Sequence, residues 1–179
     1  MITMGKTLTM IAGVLGLISI FIGVVLPDIG AWFRFEASTG GASLLGYYVN
    51  GLGIVSIGGS MSQLFGSGVS GILIIELIGE MLCLIGCIFC LLGAARESKK
   101  FSMIGGVLIL LGPIILIIDL FLISAGSFAL ILQIFGIAGE NILYGSLTVM
   151  GNTLAWGLWI GSFLALGAGI IGVISSITL

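Results

Sequence analysis

Residues 71–125 read GILIIELIGEMLCLIGCIFCLLGAARESKKFSMIGGVLILLGPIILIIDLFLISA, two long apolar runs on either side of the polar turn Arg96-Glu97-Ser98-Lys99-Lys100. A helix rises about 1.5 Å per residue, so about 20 apolar residues cross a hydrocarbon layer ~30 Å thick. Both runs are long enough, and so short a turn makes them antiparallel neighbours. The same test, applied outward, adds Thr7–Leu26 and Thr153–Leu179, giving four predicted spans at 7–26, 71–95, 101–125 and 153–179. Thr7–Leu26 is followed by Pro27-Asp28 and by no small-x-small cleavage site, so it reads as a retained span.

Composition agrees with this layout. The 179 residues are 59% hydrophobic and 7% charged, where a soluble domain averages roughly 45–50% and about 25%. So few charges cannot cover a water-exposed globule, and the lipid bilayer is the expected solvent. The chain contains no His, which removes the commonest general base and transition-metal ligand. No nucleophile–base pair, phosphate-binding glycine loop or complete metal motif is present, so neither an enzyme nor a cofactor is expected. Cys83, Cys87 and Cys90 lie within one apolar run and read as small packing residues. The net charge of −2 leaves no footprint for nucleic acid.

Lys6 and the three basic residues of the 96–100 turn fall on one side, and Arg34 stands opposite. The positive-inside rule then puts the turn and both termini in the cytoplasm of a multi-pass cell-membrane protein. The outer connections are 27–70 and 126–152. In the first, Ala31–Glu36 alternates with a strand's period, Ser38-Thr39-Gly40-Gly41 signals a turn, and Leu44–Val49 meets Asn50-Gly51. That pair predicts a type I′ hairpin with Leu52–Ile57 as the return strand. A competing reading makes 44–59 a short fifth span. Gly66–Ser70 reads as a flexible lead into the second span, Phe128–Ala138 as a helix extension or interfacial segment, and Leu143–Val149 as a further strand. The expected fold is thus an all-α membrane protein, a four-helix bundle of one domain (1–179) with a small extracytoplasmic antiparallel β-sheet.

Helices in lipid associate through small residues. Gly157, Gly161, Ala165 and Gly169 recur every fourth position in the last predicted span, Gly79, Gly86 and Gly93 every seventh in the second, and Gly105 and Gly112 in the third. At ~100° per residue, Glu76 and Glu80 fall beside the glycine and cysteine face of the second helix. Asp119 continues the Gly105/Gly112 face of the third. Counted from the turn, Glu80 and Asp119 both stand roughly 22–27 Å up. The three acids are expected to converge in the outer half of the bundle, with Arg34 as their available cationic partner. Such groups are costly in a membrane and are functional candidates.

Four spans with both ends inside, a short cytoplasmic turn, a long first outer loop with an early tryptophan (Trp32) and a second loop adding a strand resemble the claudin and peripheral-myelin type of tetraspan protein. The family's Gly-Leu-Trp and its outer-loop cysteine pair are absent; Ala31-Trp32-Phe33 and Gly51-Leu52-Gly53 are partial echoes. The resemblance implies lateral self-association through outer loops and helices. The functional expectation is a non-enzymatic protein that forms homo-oligomers or joins a membrane-protein partner. Its contacts would be the sheet, with Trp32, Phe33, Phe35, Tyr47 and Tyr48, and the small-residue helix faces. The alternative is a cation channel or ion-translocating subunit using the acids.

Overall fold

The apolar runs fold as four long helices in a computed structural model, which describes residues 4–40, 42–52, 55–57, 60–62, 70–124, 143–149 and 151–179. Helix α1 spans Met4–Val25 and a single turn, α2, covers Pro27–Gly30. Strands β1 (Phe33–Thr39), β2 (Ala42–Val49), β3 (Val55–Ile57) and β4 (Ser60–Ser62) follow. Helices α3 (Ser70–Arg96) and α4 (Lys99–Ser124) come next, then β5 (Tyr144–Val149), β6 (Asn152–Leu158) and α5 (Ile160–Thr178). Among the described residues, four helices are long and apolar enough to cross a membrane, as befits a multi-pass membrane protein. The predicted lead at 66–69 and the 128–138 segment lie outside the described residues.

The helices form a square. α1 and α4 each pack on both α3 and α5 and stand diagonally across from one another. Glycine makes these approaches possible. A Cβ on Gly86 would lie 2.7 Å from the Gly105 carbonyl oxygen, and one on Gly105 would lie 2.6 Å from the Cys90 backbone nitrogen. Gly106 and Gly172 meet in the same way between α4 and α5, and Gly13 lies against Leu91 between α1 and α3. At the turn end, Thr9, Ser102 and Ser175 bring hydroxyls from α1, α4 and α5 to within 2.8–3.0 Å of each other. Their protons are also shared with the carbonyls of Gly5 and Gly172, so these three buried hydroxyls are satisfied inside the bundle. The opposite flank of α3, with Ile78, Met81, Ile85, Ile88 and Leu92, is exposed, as a lipid-facing flank requires.

At the other end stands a six-stranded antiparallel sheet in the order β4-β3-β2-β1-β6-β5. Two connections build it, β1 to β4 coming from the first and β5 and β6 from the second. β1 pairs along its whole length with β6, from Phe33↔Leu158 to Thr39↔Asn152. The sheet is two-faced: Phe33, Phe35, Tyr47, Val49, Leu147, Leu154, Trp156 and Leu158 belong to the core or pack on it. Arg34, Glu36, Tyr48, Ser146, Thr148 and Thr153 alternate onto the other side.

Three sequence expectations change here. Residues 153–158 belong to β6, so the last span begins at Ile160 and not at Thr153. Gly151, at φ +82°, stands just before β6, which runs back along β5 before the chain enters α5. Asn50-Gly51 does not form a type I′ turn, since neither residue has a positive φ and Val49 pairs with Val55, leaving 50–54 as the connection. Gly51 is needed for contact instead: a Cβ there would stand 2.5 Å from Ile20 Cα of α1. Asn50 Oδ1 accepts the Leu52 N–H at 2.8 Å and so makes the turn from its side chain. Finally, the strands β2 and β3 exclude a fifth span at 44–59. Where the sequence signals a turn at 38–41, Thr39 pairs with Ala42 and Gly40 has φ +56°; Gly41 lies outside the described residues.

Candidate functional site

Trp32 organises the junction of sheet and bundle. It precedes β1, is 2% exposed, and its indole Nε1–H donates to the Ser19 carbonyl of α1 at 2.8 Å. A Cβ on Gly161 of α5 would come within 2.5 Å of its Cδ1, and one on Gly112 of α4 within 3.0 Å of its Cη2. With Val49, Glu80 of α3, Gly112 and Leu116 it lines a narrow crevice. One side chain thus meets or borders all four long helices and closes the bundle axis at the sheet end. Its backbone completes the joint: the Trp32 N–H donates to Val49 O at 2.7 Å, and its carbonyl accepts the Trp159 N–H at 2.9 Å. The Gly161 N–H, a donor that α5 itself cannot satisfy, goes to Ala31 O at 2.9 Å.

Two acids of α3 and α4 are buried as well. Glu80 is 2% and Asp119 1% exposed. Glu80 borders the crevice opposite Gly112 and Leu116 of α4. Asp119 follows Leu116 by one turn of α4, ~4.5 Å further along the axis. Neither carboxylate oxygen of Asp119 has a hydrogen-bond partner among the described residues. The side chain of Glu76 lies outside them. Arg34, the cation expected beside these acids, has its ion pair among the described residues elsewhere. It pairs with Glu36 on its own strand, at 3.5 Å, and its guanidinium stands 3.4 Å over the Trp159 ring, a cation–π contact at the mouth of α5. That partner follows from β1–β6 pairing, which carries Arg34 beside Gly157 and close to residue 159.

The small-residue stripes are used within the chain. Gly79, Gly86, Gly93, Gly105 and Gly112 lie between α3 and α4; Gly161 lies on Gly30 and Trp32, and Gly169 on Leu110. Ala165 is fully buried. Gly157 is not on a helix: it sits in β6 at φ +151°, where a Cβ would meet Leu143 O and Tyr144. Of the aromatic residues expected to form an outer contact surface, Trp32, Phe33, Phe35 and Tyr47 face inward, while Tyr48 shares the face of Arg34 with its ring over Gly46. Trp32, Phe33 and Tyr48 are buried, and Phe35 and Tyr47 pack on the core. Tyr144, which the sequence reading left unmarked, is 72% exposed at the head of β5. An alternating strand following a poorly polar stretch was its available signal.

Among the described residues, no group of three or more His, Cys, Asp or Glu side chains is placed to hold a metal ion. No family model matches the chain, and no curated protein matches it. The class defined by the structure is therefore coarse: four apolar helices with a six-stranded antiparallel sheet at one end.

Proposed function

We propose that this is a non-enzymatic four-span protein of the cell membrane that self-associates through its extracytoplasmic sheet, in the manner expected of a claudin-like tetraspan. The termini and the 96–100 turn would then be cytoplasmic. The observation that carries the reading is strand β5. Among the described residues it has one hydrogen-bonded neighbour, β6, and its sequence Tyr144-Gly-Ser-Leu-Thr-Val149 contains no charge and no proline. Those are the usual devices that keep an end strand from pairing with another chain. Tyr144, Ser146 and Thr148 are exposed along it. At the other end of the sheet, β4 is three residues long, too short to offer a comparable ladder. Two copies of one end strand can pair isologously about a twofold axis.

The glycine stripes support this division of labour, because they are occupied inside the bundle and the sheet remains as the contact. The experiment is to insert positive charge on the end strand with Ser146→Lys and Thr148→Lys, both at exposed positions, and to read oligomer mass in lipid nanodiscs. Loss of multimers with an unchanged unfolding temperature supports the reading; unchanged multimers overturn it. Ion translocation is a weaker second reading. Its support is the buried acidic pair, and Trp32 across the bundle axis argues that any such route would run between copies.

A further inference from the structure

We propose that the 96–100 turn, with the start of α1, holds the phosphate of an anionic phospholipid whose acyl chains lie along the exposed flanks of the helices below it. Charge, depth and apolar surroundings point the same way. Lys6 reaches Glu97 at 3.1 Å, so α1 brings a fourth basic side chain to Arg96, Lys99 and Lys100. Among the described residues Glu97 is the one acidic side chain at this end: Glu36 belongs to the sheet, Glu80 borders the crevice beside Trp32, and Asp119 lies toward the far end of α4. Arg96, Lys99 and Lys100 are exposed and have no ion-pair partner among the described residues.

The cations stand where apolar helix gives way to polar turn. Arg96 closes the span-length stretch of α3, Lys99 opens that of α4, and Lys6 is the third residue of α1. Headgroup phosphates lie at that level. Residues four apart share a helix face, and Met10 follows Lys6 by four, Leu92 precedes Arg96 by four, and Met103 and Ile104 follow Lys99 and Lys100 by four. All four of these apolar residues are exposed. Each cation thus stands one turn above a bare apolar side chain, an arrangement that fits a molecule with an anionic head and hydrocarbon tails; a soluble anion would use only half of it. Arg96 is turned over the Phe101 ring, 5.8 Å from its centroid, toward the first turn of α4, where its planar fork can share a phosphate with the two lysines. The ammonium of a zwitterionic headgroup is repelled by the same cations, so the bound lipid is expected to carry net negative charge. This inference rests on the membrane-spanning helices and not on association through the sheet.

The test places the full chain in nanodiscs of equal parts phosphatidylglycerol and phosphatidylcholine and counts, by native mass spectrometry, the lipids that stay bound. Phosphatidylglycerol is expected to exceed phosphatidylcholine at least about fivefold among them, the effect of one cation near a charged lipid surface. The excess should vanish in the Lys99→Gln, Lys100→Gln variant, whose positions are both exposed. Arg34→Gln, which removes a cation at the sheet end, should leave it unchanged. Retention in the bulk ratio by the wild type, an undiminished excess in the lysine variant, or equal loss in Arg34→Gln overturns the proposal. Should the lysine variant fail to fold, Arg96→Gln takes its place under the same criteria. Inorganic phosphate, titrated at constant ionic strength into the protein in phosphatidylcholine nanodiscs, separates lipid from free anion. No saturable rise in unfolding temperature is expected; a saturable rise that the lysine variant lacks would make the occupant a soluble phosphate and overturn the assignment to lipid.

Discussion

The Trp32 indole donates to the Ser19 carbonyl at 2.8 Å, joining the first residue before the sheet to the C-terminal third of α1. Ser19 turns its own hydroxyl back to Gly16 O at 2.6 Å, so its carbonyl is the group that meets the indole. The backbone bonds of Trp32 to Val49 and Trp159 tie the same residue to β2 and to the β6–α5 corner. Sheet and bundle are thereby held in one orientation by a buried aromatic at their common centre.

Enlarging Gly161 should break this joint. A side chain there collides with Trp32 and with Gly30 O, and overpacking typically costs about 1–3 kcal/mol. Gly161→Leu is expected to lower the unfolding temperature in detergent clearly. Trp32→Phe, which keeps most of the volume and loses the N–H, should cost about 0.5–1.5 kcal/mol. Equal stability of Gly161→Leu and wild type would contradict the packing described.

Gly157 provides a separate test of the sheet. Its φ of +151° and its contact with Tyr144 leave no place for a branched side chain. Gly157→Val should detach β5 from β6. Hydrogen exchange across Tyr144–Val149 should then accelerate while the β1–β2 hairpin stays protected. Unaltered exchange at Tyr144–Val149 would refute the register.

The extent to which the sequence foretold this arrangement differs by element, for physical reasons. The α3–α4 hairpin was readable because its apolar runs exceed a membrane's thickness and its turn concentrates charge. The glycine stripes of α3 and α4 were readable because helix–helix contact in lipid depends on small residues at fixed spacing, whereas Gly157, counted with the last span, lies in β6. Strand β6 was not, because Leu154, Ala155, Trp156 and Leu158 are as apolar as the helix that follows. Hydropathy cannot mark a boundary between them; Gly151 and the alternation of Leu154, Trp156 and Leu158 could. Asn50-Gly51 misled because a tertiary contact with Ile20, and not the local turn, sets its backbone. The partner of Arg34 was hidden for a related reason: Trp159 reaches it through the unrecognised β6.

The hydroxyl triangle at the turn end makes a prediction about α1. Thr9 links to Ser102 and Ser175 at 3.0 and 2.8 Å. Interhelical hydrogen bonds in bilayers average about 0.6 kcal/mol. Thr9→Val should therefore destabilise by about 0.5–2 kcal/mol, the upper figure applying where a hydroxyl is left unsatisfied. A stabilised variant would show that the triangle is not a net contributor.

Glu97 ends α3 with φ +52°, a left-handed position that glycine normally fills, and its carboxylate meets Lys6 at 3.1 Å. The pair is largely exposed and is worth about 0–1 kcal/mol, similar to the backbone relief glycine would bring. Glu97→Gly is accordingly expected to change stability by less than about 1 kcal/mol. A loss of several kcal/mol in a thermal melt would mean the ion pair matters far more than its exposure implies.

The most direct measurement of the central claim is native mass spectrometry of the protein released from lipid nanodiscs, over a range of protein-to-lipid ratios. The account predicts multimers for the wild type that revert to single copies in the Ser146→Lys, Thr148→Lys variant. Single copies of the wild type at every ratio, or multimers indifferent to charge on β5, would contradict it.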